Sequence, residues 1–127
     1  DVVSDCPITI RIYFDQDESL DFSKLNMGLS FWDTSENKIA ILVTDEMISD
    51  LNKFKDKKFI DFYIPNFNFR GGKYFLKLMA TEKLNKEIIV LDNVFCAKEI
   101  DVISSDFWKI GKTIRAESML IVNAQIK

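Results

Sequence analysis

From Ile8 to Phe14 the residues ITIRIYF alternate, with Ile8, Ile10, Ile12 and Phe14 on one side of an extended chain and Thr9, Arg11 and Tyr13 on the other. Successive side chains of a strand point to opposite faces, so this pattern predicts a half-buried strand. Met27 to Asp33 repeats it, with Met27, Leu29 and Phe31 inward and Gly28, Ser30 and Trp32 outward. The turn formers Asp33 to Asn37 then predict that Lys38 to Thr44 returns as a hairpin partner. Its unbroken apolar run predicts a strand covered on both sides, a dimer partner being one such cover. Asp45 to Phe54 is the one stretch at helical spacing, through Met47, Leu51 and Phe54, with Asp45 as cap and a loop as the alternative.

The centre of the chain is Lys58 to Thr81. In its first half Ile60, Phe62 and Ile64 alternate with Phe59, Asp61 and Tyr63, until Pro65, which has no amide hydrogen, stops the ladder. In its second half Tyr74, Leu76, Leu78 and Ala80 alternate with Phe75, Lys77 and Met79. Gly71 and Gly72 between the halves allow a turn with positive φ. A glycine, one residue, a tyrosine and then a strand is the arrangement of a tyrosine corner, in which the phenol reaches back to upstream backbone. Leu76 stands where an antibody domain has cysteine. Tyr74 and Phe62 are therefore read as packing residues.

Ile88 to Ile103 predicts a strand or two, with a break at Asp92 and Asn93. Ser104 to Arg115 reads as a loop carrying Phe107 and Trp108, and Ser118 to Ile126 as a last strand. Seven or more short strands with almost no helix predict an all-β chain, an immunoglobulin-like antiparallel β-sandwich formed by residues 1–127 as a single domain.

At 127 residues, with 47% apolar and 29% charged residues and a net charge of -3, the chain has the composition of an ordinary globular domain and not of a disordered one. That balance argues against nucleic acid and anionic membrane as partners. No apolar run approaches a membrane span, and DVVSDCPITI lacks a signal peptide's charged-then-apolar order. The missing initiator Met reads as a piece excised from a larger chain. Cys6 and Cys96 share parity with apolar neighbours and are expected to be small buried hydrophobes, with a bridge between them as the alternative. With no Asn-x-Ser/Thr acceptor either, the usage fits a cytoplasmic location.

The chain contains no histidine, which removes the commonest general base and zinc ligand together. The carboxylates of Asp15, Asp17, Glu18 and Asp21 could serve glycoside hydrolysis but read as a solvated acidic turn. The same run imitates half a calcium loop, with Leu20 and Asn26 where glycine and glutamate are needed. Gly111-Lys112-Thr113 resembles the end of a phosphate-binding loop, but Asp106 stands at the required first glycine, leaving a surface turn. No cofactor and no metal is expected.

Recognition remains. Sugar rings offer apolar C–H faces fringed by hydroxyls, so their sites combine aromatic platforms with planar polar groups. In a sandwich of immunoglobulin type the first, second and fifth strands adjoin in one sheet. Their outward residues are Arg11, Tyr13, Ser30, Trp32, Phe59, Asp61 and Tyr63, the candidate carbohydrate-binding set. Against it stands a structural reading, because outward aromatics pair across strands and also serve interfaces. Trp108 with Phe107 is a second candidate, for anchoring the loop or for contacting a ligand.

The order IDFYIPNFNFRGGKYFLKLMA, LDNVFCAKEIDV and SDFWKIGK resembles the C-terminal carbohydrate-binding domain of Wzt, the ATP-binding subunit of O-antigen polysaccharide ABC transporters. The matching positions are Ile64, Pro65, Gly72, Tyr74, Asp92, Ile100, Val102, Asp106, Phe107 and Gly111, and the resemblance runs from about Ile8 to Gly111. It implies non-catalytic binding of a lipid-linked O-antigen polysaccharide near its non-reducing end, giving an exporter its substrate specificity. It also implies a homodimer that exchanges the C-terminal strand, and an ATPase domain elsewhere in the parent chain joining it to the membrane subunits at the cytoplasmic face. The competing function is a protein-interaction sandwich, adhesin-like or accessory. A hydrolase ranks third.

Overall fold

The computed structural model describes residues 2–15, 20–116 and 118–127. Its strands are β1 (Val2–Val3), β2 (Ile8–Tyr13), β3 (Leu25–Trp32), β4 (Lys38–Val43), β5 (Phe59–Ile64), β6 (Gly72–Leu84) and β7 (Glu87–Ile103). A five-stranded sheet, in the order β1-β7-β6-β3-β4, faces a two-stranded sheet of β2 and β5, so the fold is an all-β sandwich. All pairings are antiparallel except β1 with β7, which is parallel.

β3 is the axis of the core. Its alternation puts Leu25, Met27, Leu29 and Phe31 inside, and Leu29 is wholly buried. Opposite lie Ile60 and Phe62 of β5, with Tyr74 and Leu76 of β6 beside them. Phe67 and Phe69, from the loop between β5 and β6, close one end. Their rings stack at 4.4 Å, Phe31 meets Phe69 at 5.2 Å, and Phe69 meets Tyr74 edge-on at 5.0 Å. Each such pair adds about 0.5–1.5 kcal/mol to its area burial.

The tyrosine corner is present. The Tyr74 ring is 2% exposed, and its hydroxyl donates to the Arg70 carbonyl at 2.7 Å. The two glycines do different work. Gly72 has φ of 152°, whereas Gly71 permits close approach, since a Cβ there would lie 2.5 Å from Ser104 Oγ. That hydroxyl accepts the Gly71 amide at 2.8 Å.

Several expectations are corrected. β3 does not adjoin β2, because both its edges are already taken, by β4 and β6. β4 is covered on one side only, leaving Ile41 47% exposed. The helical stretch shrinks to one turn at Thr44–Met47 and a tighter turn at Asn52–Phe54. Asp45 is not the cap; its amide is taken by Asn26 Oδ1 from β3 at 3.0 Å. Ile88 to Ile103, expected as a strand or two, lies within one strand, in which Asp92 and Asn93 pair in register with Ala80 and Met79 between two register shifts.

Cys6 and Cys96 are free and exposed. Cys6 lies in a turn where Asp5 has φ of 64°, so strand parity does not extend back to it. Cys96 lies between the pairings Leu78↔Val94 and Leu76↔Lys98, in a bulge where parity fails. Residues 118–127 form no regular strand, only a bridge from Leu120 to Phe69. Asp17 and Glu18 of the acidic run, and Ser19 of the calcium-like pattern, lie outside the described residues. Asp21 caps a local turn, its Oδ1 accepting the Ser23 amide at 3.0 Å. No helix among the described residues is long and apolar enough to cross a membrane.

Candidate functional site

The seven sequence-derived site residues fall on two opposite outer faces. Arg11, Tyr13, Phe59, Asp61 and Tyr63 share the outside of the two-stranded sheet, where Arg11 lies across from Asp61, Tyr13 from Phe59 and Thr9 from Tyr63. Arg11 grips Asp61 with both arms of its guanidinium, Nε to Oδ1 at 2.8 Å and Nη2 to Oδ2 at 3.0 Å. This bond holds the Asp61 carboxyl below its ordinary value. The same bond, with Tyr13 next in effect, raises Arg11 further. The guanidinium carbon sits 3.9 Å from the Phe59 ring centre, and Tyr13 meets that ring edge-on. Arginine and aspartate thus each commit one planar edge to the other. What this face offers a partner is mainly the Tyr13 and Tyr63 rings, 72% and 65% exposed.

Ser30 and Trp32 lie on the other face, in a groove of about 360 Å³ across the five-stranded sheet. Gly28 and Ser30 form its floor. Gly28 has open space above it, since a Cβ there would meet nothing within 4 Å. Ile41 and Val43 of β4 line one wall, Met79 of β6 and Phe95 of β7 the other. Trp32 closes one end. Its indole Nε1–H donates to Ser30 Oγ at 2.7 Å, which fixes the ring over the floor. Lys77 Nζ lies 3.7 Å and Lys38 Nζ 5.3 Å from the centre of the Trp32 ring, and Lys77 also stands 5.9 Å from Phe95. Asn26, Thr81 and Asn93 supply hydrogen-bonding groups towards the far end. Asn26 is oriented by Thr44, whose hydroxyl donates to its Oδ1 at 2.7 Å.

This arrangement pairs an aromatic platform with an open floor, two amides, two hydroxyls and two ammonium groups. It can hold a ring with an apolar face and a polar rim. Lys38, Ile41, Lys77, Met79 and Phe95 were absent from the sequence-derived set. The signal for Lys77 and Met79 was available, since they share parity with Phe75 opposite the buried Tyr74 and Leu76. Phe95 gave none, because it lies in the bulge.

Trp108, the second candidate, stands edge-on to Phe107 at 4.8 Å and donates its indole N–H to the Ala124 carbonyl at 3.3 Å, so it holds the C-terminal segment. Asp106 organises the adjoining turn. It accepts the amides of Gly111 at 2.7 Å and Ile110 at 3.1 Å, which lowers its carboxyl, and Gly111-Lys112 is a surface turn around it. A further cleft, of about 460 Å³, opens between β2 and the inner face of the larger sheet, bordered by Ile10, Ile12, Leu76, Leu78, Ala97 and Ile100. Among the described residues no three His, Cys, Asp or Glu side chains gather as a metal site.

No family model and no curated protein matches this sequence. Among solved structures, the chain is similar to the crystal structure of the C-terminal domain of Wzt. The TM-score is 0.65 at 10% identity, over 99% of this chain and 72% of that one. The fold is therefore shared with that domain.

Proposed function

We propose that residues 1–127 act as one non-catalytic carbohydrate-binding domain that recognises a lipid-linked O-antigen polysaccharide near its non-reducing end and gives an ABC exporter its substrate specificity. The observation that carries this reading is the Trp32 groove, a half-buried aromatic beside a glycine floor, flanked by amides and hydroxyls on a fold shared with the C-terminal domain of Wzt. The work would be done at the cytoplasmic face of the inner membrane, with the transporter's ATPase and membrane subunits reached through the rest of a parent chain. Catalysis is not required of the groove, whose lining includes no carboxylate and no nucleophilic pair.

A homodimer that exchanges its C-terminal segments belongs to the same reading. Residues 122–127 are exposed and carry Val122 and Ile126, while β2 has an unpaired edge beside an open apolar cleft. A two-stranded sheet gains stability from a third strand, and a second copy of the segment would supply one. Two linked sites would then strengthen a modest single-site affinity.

The test is titration with the lipid-free O-polysaccharide of the encoding strain, reading tryptophan fluorescence, with an unrelated polysaccharide as control. Saturable binding to the cognate glycan alone is expected, lost in Trp32→Ala at an unchanged thermal midpoint. Absence of binding at millimolar repeat units by folded, dimeric protein would overturn it. That result would favour a protein-interaction domain docking through the exposed Tyr13 and Tyr63 rings.

A further inference from the structure

Two ammonium groups converge on the Trp32 end of the groove, and its lining contains no acid to neutralise them. Among the described residues, no carboxylate lies within ion-pairing distance of Lys38 or Lys77; the ion pairs present join Arg11 to Asp61, Lys24 to Asp21 and Lys73 to Glu99. Asp33 and Glu36 border an adjoining depression that Lys77 and Trp32 also line; the Asp33 carboxylate is occupied by the amides of Ser35 and Asn37 and by the Asn37 side chain, and Glu36 forms no ion pair with either lysine. In a chain of net charge -3, a groove with two lysines and no acid runs against the average of the surface.

The lysines also have a defined place. The face of an indole is electron-rich, so it attracts an ammonium without using the ammonium's three N–H donors. Lys77, its Nζ 3.7 Å from the ring centre, is thereby held over the face of Trp32 with donors left for an oxyanion. A pyranose seated in the groove beside Trp32 would direct an equatorial substituent towards that ammonium.

Resting on the saccharide reading above, we infer that the groove selects a glycan bearing an anionic substituent, a carboxylate or a phosphate on the sugar seated against Trp32, with Lys77 as its principal contact and Lys38 as the second. Neutral residues of the same polymer occupy the floor between the Ile41 and Met79 walls and add contact area without deciding the choice.

The experiment uses an array of purified bacterial polysaccharides, each acidic one printed beside its carboxyl-reduced or dephosphorylated form, probed with the 127-residue protein and with Lys77→Gln, Lys77→Arg and Lys38→Gln. The bound polymers are expected to be acidic. Removal of the acid should weaken them at least about tenfold, the scale of one charge-assisted hydrogen bond. Lys77→Gln should reproduce that loss on the acidic form and weaken the neutral form much less, while Lys77→Arg keeps most of the binding. The carboxyl-reduced and dephosphorylated arms separate uronate from phosphate. If the neutral forms bind as tightly, or Lys77→Gln binds unchanged, the inference is overturned while the saccharide reading stands. If folded protein binds no polymer on the array, both fall.

Discussion

Gly28 offers a test in which stability and binding should move in opposite directions. It sits mid-strand in β3, across from Val43 on one side and Met79 on the other, and a Cβ built on it meets nothing within 4 Å. Its backbone needs no glycine, because positive φ among the glycines is confined to Gly72 and Gly111. Glycine in a strand interior costs about 0.5–1 kcal/mol through the entropy it loses on folding, and β-branched residues fit a pleated surface well. Gly28→Val should therefore stabilise the fold by about 0.5–1 kcal/mol. With an unfolding entropy of about 2.1 cal/mol/K per residue, a chain this long should gain roughly 2–4 °C. The same isopropyl group would stand in the centre of the groove floor, where the proposed function seats a sugar ring, and glycan affinity should fall by about tenfold to a hundredfold, or ~1.4–2.7 kcal/mol. Thermal unfolding by circular dichroism and the fluorescence titration read the two effects on one sample. Retained affinity with a raised midpoint would show that the ligand does not use this groove. A midpoint lowered by several degrees would refute the claim that the floor is open.

Tyr74→Phe removes one buried hydrogen bond without opening a cavity, and should cost about 1–2 kcal/mol in urea unfolding. Burial first, then the negative field of Asp33, raises the Tyr74 phenol. The folded state therefore favours the protonated form, and wild type should lose stability as pH rises through that raised value, whereas Tyr74→Phe should lack this alkaline component. Gly71→Ala drives a methyl against Ser104 Oγ at 2.5 Å and Ser104 N at 3.1 Å, and should lower the thermal midpoint by several degrees; adding Ser104→Ala should restore only part, because the backbone contact stays. Deleting residues 122–127 should leave the corner intact, since Ile121 N still donates to Asn68 O and Arg70 Nε to Leu120 O. Light scattering of that deletion should nevertheless report a monomer, and a persistent dimer would refute strand exchange.

The local elements were legible because each was written in a short-range period. The alternations at Ile8–Tyr13 and Phe59–Ile64 fix which side chains share a face, and the Gly72-x-Tyr74 spacing announces a corner whatever surrounds it. Sheet membership was not legible, because a period of two is the same whichever neighbour a strand adopts. β3 enters the larger sheet through pairings with residues about ten and fifty positions away, and that choice moved Ser30 and Trp32 to the face opposite Tyr13 and Tyr63. The bulge at 95–97 was invisible for a related reason. It exists only in the register between β6 and β7, so nothing in FCA itself announces that Phe95 and Cys96 leave the alternation.

That bulge helps explain how such a site can vary while its fold persists. Along β3 the core residues Met27, Leu29 and Phe31 alternate with the groove residues Gly28, Ser30 and Trp32, and along β6 Leu76 and Leu78 alternate with Lys77 and Met79. Core and groove thus occupy opposite faces of the same strands, and a substitution on one face leaves packing on the other largely untouched. The floor is held by β3, clamped on both edges, while Phe95 reaches the wall from a bulge whose outer edge pairs with no strand at that point. Under the proposed carbohydrate-binding function, changes at Lys38, Lys77 and Phe95 would retune which polymer is accepted without asking the core to repack.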